Sequence, residues 1–149
     1  MSIAVQIADS LAAALSAYPL SMPVAASRKY VPDYDGTELQ SLRVAVVPGP
    51  IETERVARGQ DLFTHSVMVM IGKATDGSNE QIDPLMQLCE EIMDAIRSGT
   101  LGTAGMPDNA KYFGSTFDAT FDRDNLNDRR MFLAQIGVTY RVPREHVLV

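Results

Sequence analysis

The stretch DLFTHSVMVMIGK, residues 61–73, decides the reading of the fold. Val67, Val69 and Ile71 take one set of alternate positions, and Met68 and Met70 take the other. Successive side chains of a strand point to opposite faces, so the later half of this segment is apolar on both. Side chains branched at Cβ favour extended backbone, which makes the segment a strand and not a helix. It is a strand buried on both sides, or buried on one and covered on the other by a neighbouring subunit. Met68 and Met70 mark the face that needs cover, although methionines also serve as plain core filling.

Upstream, Leu42, Val44 and Val46 alternate with Arg43, Ala45 and Val47, which predicts a strand that Pro48, Gly49 and Pro50 stop. Residues 51–60 hold Glu52, Glu54, Arg55, Arg58 and Gly59 and read as a mobile or interface-forming loop. Residues 22–31 predict a strand with one wet face, followed by a turn at Asp33, Tyr34, Asp35 and Gly36. At the amino end Ile3, Ile7, Leu11, Leu15 and Tyr18 recur at helical spacing, with Ser2 as the cap and Pro19 as the stop.

Downstream, Asp83 followed by Pro84 predicts a helix start, because Asp caps free N–H groups and Pro fits the first turn. Leu85, Cys89, Ile92, Met93 and Ile96 form the apolar stripe; Gln87, Glu90, Glu91 and Asp94 take the other side, and Ser98 and Gly99 end the helix. Residues 99–109 read as a loop. Tyr112, Phe113, Phe117, Ala119 and Phe121 predict a strand, residues 123–128 a turn, and residues 131–142 a last strand in which Ala134, Ile136, Val138, Tyr140 and Val142 alternate with polar or small residues. The expected architecture is α+β in the order α-β-β-β-α-β-β. One domain over residues 1–149 would hold a four- to five-stranded, mainly antiparallel sheet with both helices packed on one face.

The composition narrows the function. A net charge of −6 argues against general nucleic-acid binding, and the excess is concentrated in residues 76–110, with 1 basic and 7 acidic groups. A lone Cys89 cannot form an internal disulfide, and on the apolar stripe it reads as a small buried hydrophobe. No apolar run approaches the ~20 residues of a membrane span, and the amino end lacks a signal-peptide pattern. His65 sits in a strand, explained by a polar strand face, and Ser66 beside it points the other way, so no triad is legible. Asp122, Asp124, Asn127 and Asp128 fail the calcium-loop template, which wants Gly where Asn127 stands. No catalytic, metal or cofactor site is expected.

The element order, the charged lead ERVARGQDLFTHSVMVMI (residues 54–71), the acidic helix DPLMQLCEEIMDAIRSG (residues 83–99) and the ending DRRMFLAQIGVTYRV (residues 128–142) resemble the tail terminator proteins of long-tailed bacteriophages over nearly the whole chain. The resemblance implies a non-enzymatic virion structural protein without cofactor or metal, made in the host cytoplasm and placed at the neck of the tail. It would form a hexameric ring on the tail tube, stop tube growth and meet the head connector, with the sheath as a further partner in a contractile tail. DNA would pass through the lumen without specific binding, and no membrane is involved.

A closed ring pairs one patch of each subunit with a different patch of the next. Glu52, Glu54, Arg55 and Arg58, together with Met68 and Met70, are the candidates for such contacts through complementary charge and packing, against the plainer view that the arginines only solvate a loop. Glu90, Glu91 and Asp94 are candidates for a lumen wall that repels DNA, against a simply wet helix face. Two alternatives stand beside the terminator. One is another neck or head-to-tail connector component. The other is a small cytosolic α+β enzyme whose Arg43, His65 and Arg141 grasp an anionic metabolite.

Overall fold

Helix α1, Ile3–Ala17, begins where Ser2 Oγ accepts the Val5 N–H at 3.4 Å and closes where the Tyr18 N–H reaches the Ala14 carbonyl at 3.0 Å. The computed structural model describes residues 2–31, 34, 38–99, 106–107, 109–118 and 131–145. Ser16 Oγ donates to the Ala12 carbonyl at 2.9 Å and accepts the Ala26 N–H at 2.9 Å, stitching the helix to strand β1, Ala26–Arg28. β1 is much shorter than the expected 22–31. Arg28 Nε adds an ion pair to Asp9 on α1 at 2.7 Å. A short 3₁₀ turn, Glu38–Gln40, precedes strand β2.

β2, Arg43–Ala57, corrects the expected stop at Pro48, Gly49 and Pro50. The strand runs through all three and shifts register between Pro48 and Ile51. Two prolines donate nothing to a ladder, so here two residues of β2, Gly49 and Pro50, face one of β3, Ser66, and the extra residue bulges out. Gly49 makes this possible: a Cβ there would stand 2.9 Å from the Ser66 carbonyl oxygen. Residues 51–60 are therefore not a loop. They are the distal half of β2, a turn at Arg58 and Gly59 (φ 80°), and the start of β3, Gln60–Ala74.

Helix α2, Asn79–Ser98, starts ahead of the expected Pro84, which lies inside it. Side chains of the preceding turn secure the early start. Asp76 Oδ1 accepts the Ser78 N–H at 2.8 Å, Thr75 Oγ1 accepts the Gly77 N–H at 3.2 Å, and Gln81 Oε1 reaches back to the Asp76 N–H at 2.9 Å. Pro84 forfeits only the bond to Glu80, in the exposed first turn. Gly99, at φ 74°, ends the helix as expected.

Strands β4, Lys111–Asp118, and β5, Met131–Glu145, complete a five-stranded sheet in the order β1-β2-β3-β5-β4. Only β1–β2 is parallel. The fold is α+β, with helices packed on a mixed, mainly antiparallel sheet. The expected turn 123–128, the extension of β4 to Phe121 and the Asp/Asn cluster all fall outside the described residues.

Cross-strand partners share a face, and the register aligns Val44–Ile71–Ala134 and Val46–Val69–Ile136. These six residues are buried in one core with Ile7, Leu11 and Leu15 of α1 and Leu85, Leu88 and Ile92 of α2. Both helices thus cover this face. On the opposite face Leu39 of the 3₁₀ turn is 2% exposed, and its Cδ2 lies 3.0 Å from where a Gly72 Cβ would stand. The chain caps one corner of its second face by itself, and Met68 and Met70 beside it remain only half-buried.

Candidate functional site

Beyond the helices the sheet continues, and its character changes. β1 pairs only with residues 44–46 of β2, and Lys29 N–H closes that contact on the Val46 carbonyl at 3.0 Å. From Pro50 to Arg58 every residue is exposed, and among the described residues no strand lies on the outer side of this stretch. At the other end of the sheet the outer side of β4 is likewise unpaired among the described residues.

The register assigns the candidate residues to faces. Glu52 stands opposite Thr64, which stands opposite Arg141, which stands opposite Lys111, so these four form one row across the face away from the helices. Glu54, opposite Leu62, lies on that face too. Arg55 lies on the other, where its Nε meets Asp61 at 3.2 Å, and Arg58 sits in the exposed turn. Met68 and Met70 occupy the open face, opposite Val47 with Gly137 and Ala45 with Gln135. The structure thus gathers Glu52, Glu54, Met68 and Met70 on one face and sends Arg55 to the other.

The acidic helix candidates do not act as a unit. Glu91 is half-buried, and its Oε1 accepts the Ser21 N–H at 3.1 Å, tying α2 to the segment after α1. Asp94 pairs with Arg97 at 3.1 Å, both exposed, and Glu90 faces solvent.

His65 departs from its expected polar surroundings. It lies on the helix-covered face at 3% exposure, stacked on Phe63 with ring centroids 6.4 Å apart. Neither ring nitrogen has a hydrogen-bond partner among the described residues. Burial, and secondarily the positive charge of Arg144, lowers its pKa. Arg43 donates from Nε to the Glu38 carbonyl at 2.9 Å near the 3₁₀ turn, and Arg141 shares the open face, so Arg43, His65 and Arg141 do not converge on one pocket. Cys89 is buried, and its thiol is pushed up to about 12, chiefly by burial. Tyr140 is likewise raised to about 12 by burial.

The residues that sequence patterning missed are Ile51, Val56 and Phe113, all large, apolar and exposed. Phe113 sits at a bulge in β4, with the Arg141 guanidinium 3.4 Å from its ring centroid. Two clefts, about 300 Å³ beside Lys73, Glu80 and Pro84 and about 460 Å³ between Tyr18 and Arg97, gather neither His nor Cys among their described lining residues. Among the described residues no group of His, Cys, Asp and Glu has the makings of a metal site, and no helix is long and apolar enough to cross a membrane.

Comparison with known proteins found no family model that matches the chain and no matching curated protein. The exposed edge residues and the open sheet face are therefore the features on which a functional reading rests.

Proposed function

We propose that this chain is a virion structural protein, a tail terminator that closes into a ring on the end of the tail tube and joins it to the head connector. The reading rests on the resemblance of its element order and charged segments to that family. One structural observation supports it: the second face of a strand apolar on both sides, with half-buried Met68 and Met70, adjoins the exposed distal end of β2, which sets Glu52 and Glu54 on that face and Ile51 on the other. A subunit tiled around an axis needs such uncovered surface on more than one side. DNA crosses the ring without specific binding, and solvent-facing Glu90 on α2 is the remaining candidate for a repelling wall.

Native mass measurement, alone and on purified tail tubes, tests the reading. Six copies of the 16.3 kDa chain give a ring near 98 kDa, and addition to growing tubes halts their elongation. A ring that binds the head connector but leaves tube growth unchanged replaces the terminator with another neck component. A monomer at every concentration that neither caps tubes nor binds connectors overturns both.

A further inference from the structure

We infer that successive copies of this chain join edge to edge, the distal half of β2 in one copy pairing with β4 of the next, so that the sheets run on around the ring. The inference rests on the ring reading and specifies the contact that builds it.

Three observations lead to it. The first is direction. In the order β2-β3-β5-β4 every pairing is antiparallel, so β4 runs opposite to β2. A second copy added beside β4 by rotation alone presents its β2 antiparallel to that strand, and the alternation continues without inverting the subunit. Such a head-to-tail contact is heterologous and closes into a ring when the rotation allows.

The second is where the edges are open. β1 blocks residues 44–46, and Pro48 and Pro50 lack the N–H that a ladder needs. The usable edge of β2 is therefore residues 51–57, and the end of β4 that can meet it is the one that starts at Lys111. Of the five large apolar residues exposed among the described residues, three, Ile51 (48%), Val56 (51%) and Phe113 (57%), lie on these two edges, and the other two, Tyr30 and Val31, follow β1. Pairing the edges withdraws apolar surface from water at both of them.

The third is charge. On the open face the β2 edge carries Glu52 and Glu54 and the β4 side carries Lys111 and Arg141. Within one copy Glu52 and Lys111 are held apart by three strand spacings, about 14 Å. Across the joint they become neighbours: with Lys111 of one copy opposite Glu54 of the next, residues 111–114 pair antiparallel with residues 51–54, short of Pro50, and Glu52 lies diagonally adjacent to Lys111. An antiparallel contact of β2 with β2 would centre on Glu54 and set acid against acid, so the charges favour the head-to-tail contact over that alternative.

The test combines charge reversal with cross-linking in the full chain. Glu54→Lys or Lys111→Glu alone weakens self-association about tenfold, and the double reversal restores it. In parallel, Lys111→Cys combined with Glu54→Cys or with Glu52→Cys yields, on mild oxidation, a ladder of covalent oligomers ending at the ring. Buried Cys89 does not interfere. Circular dichroism and the unfolding midpoint confirm that each variant folds. A ring of unchanged mass that neither cysteine pair cross-links and neither charge reversal weakens overturns edge pairing while the ring reading stands. A wild-type chain that forms no ring, alone or on tail tubes, overturns both.

Discussion

Residues 44–46 and residues 51–57 belong to the same strand, β2, and pair with the same neighbour, β3, yet they live in different environments. In the first group Val44, Ala45 and Val46 are buried, the two valines in the core that both helices cover. In the second every residue is exposed, and Glu52, Glu54 and Arg55 stand between Ile51 and Val56. Backbone pairing and the exposed Arg55–Asp61 ion pair therefore sustain the distal half, whereas the proximal half is held by pairing and packing together. The difference separates what stabilises the chain from what it offers to a partner, because residues exposed in the subunit can be exchanged without opening the core.

The comparison can be broken first at its buried end. Phe132→Ala, in a fully buried site on β5, should lower unfolding stability by about 3–5 kcal/mol, read from the urea midpoint. A loss below 1 kcal/mol would mean that the helix-covered face is not the core.

At the junction, Gly49→Ala should cost about 1–3 kcal/mol, because the new methyl meets the Ser66 carbonyl 2.9 Å away and backbone must shift. Unchanged stability would show that the bulge does not fix the two halves of β2 relative to each other.

Just beyond the junction, His65 predicts an acid effect. Its folded pKa is lowered, so below the unfolded value of about 6.5 the unfolded chain binds more protons than the folded one. Stability should be full above that value and decline as pH falls from about 6.5 towards the lower folded pKa. His65→Phe should remove this slope, and pH-dependent thermal melts of the two proteins check it. An identical slope in both would assign the titration to another group.

The smallest effect belongs to the exposed end. Arg55→Ala breaks an ion pair with Asp61 whose arginine side chain is 60% exposed, so it should change stability by less than about 0.5 kcal/mol. A larger loss would make the distal half a contributor to folding and blur the contrast.

Much of the fold was legible in the sequence. Ser2 and Pro19 delimit α1, alternation marks β3 and β5, and Gly99 ends α2, because caps, prolines and periodicity act over a few residues. The candidate site was legible in part. Glu52, Glu54, Met68 and Met70 were picked out for charge and hydrophobicity, but nothing in their spacing told which share a face with Arg141 and Lys111. Phe113 reads as an ordinary strand residue and Ile51 as part of a loop, since exposure is not a property of a residue type.

What the sequence determined by itself was the set of elements and the hydrophobic excess of the central strand. The tertiary structure decided that β2 continues past two prolines, that α2 begins before Pro84, that His65 is buried and that Arg55 turns away from Glu52 and Glu54. Each depends on partners distant along the chain or on side chains outside the local pattern: β3 holds β2 extended, Thr75, Asp76 and Gln81 brace the helix start, and the cross-strand register assigns faces. Local propensity fixes only what neighbouring residues can enforce. A strand's continuation and its wet side are set by hydrogen bonds and burial that exist only once the sheet has formed.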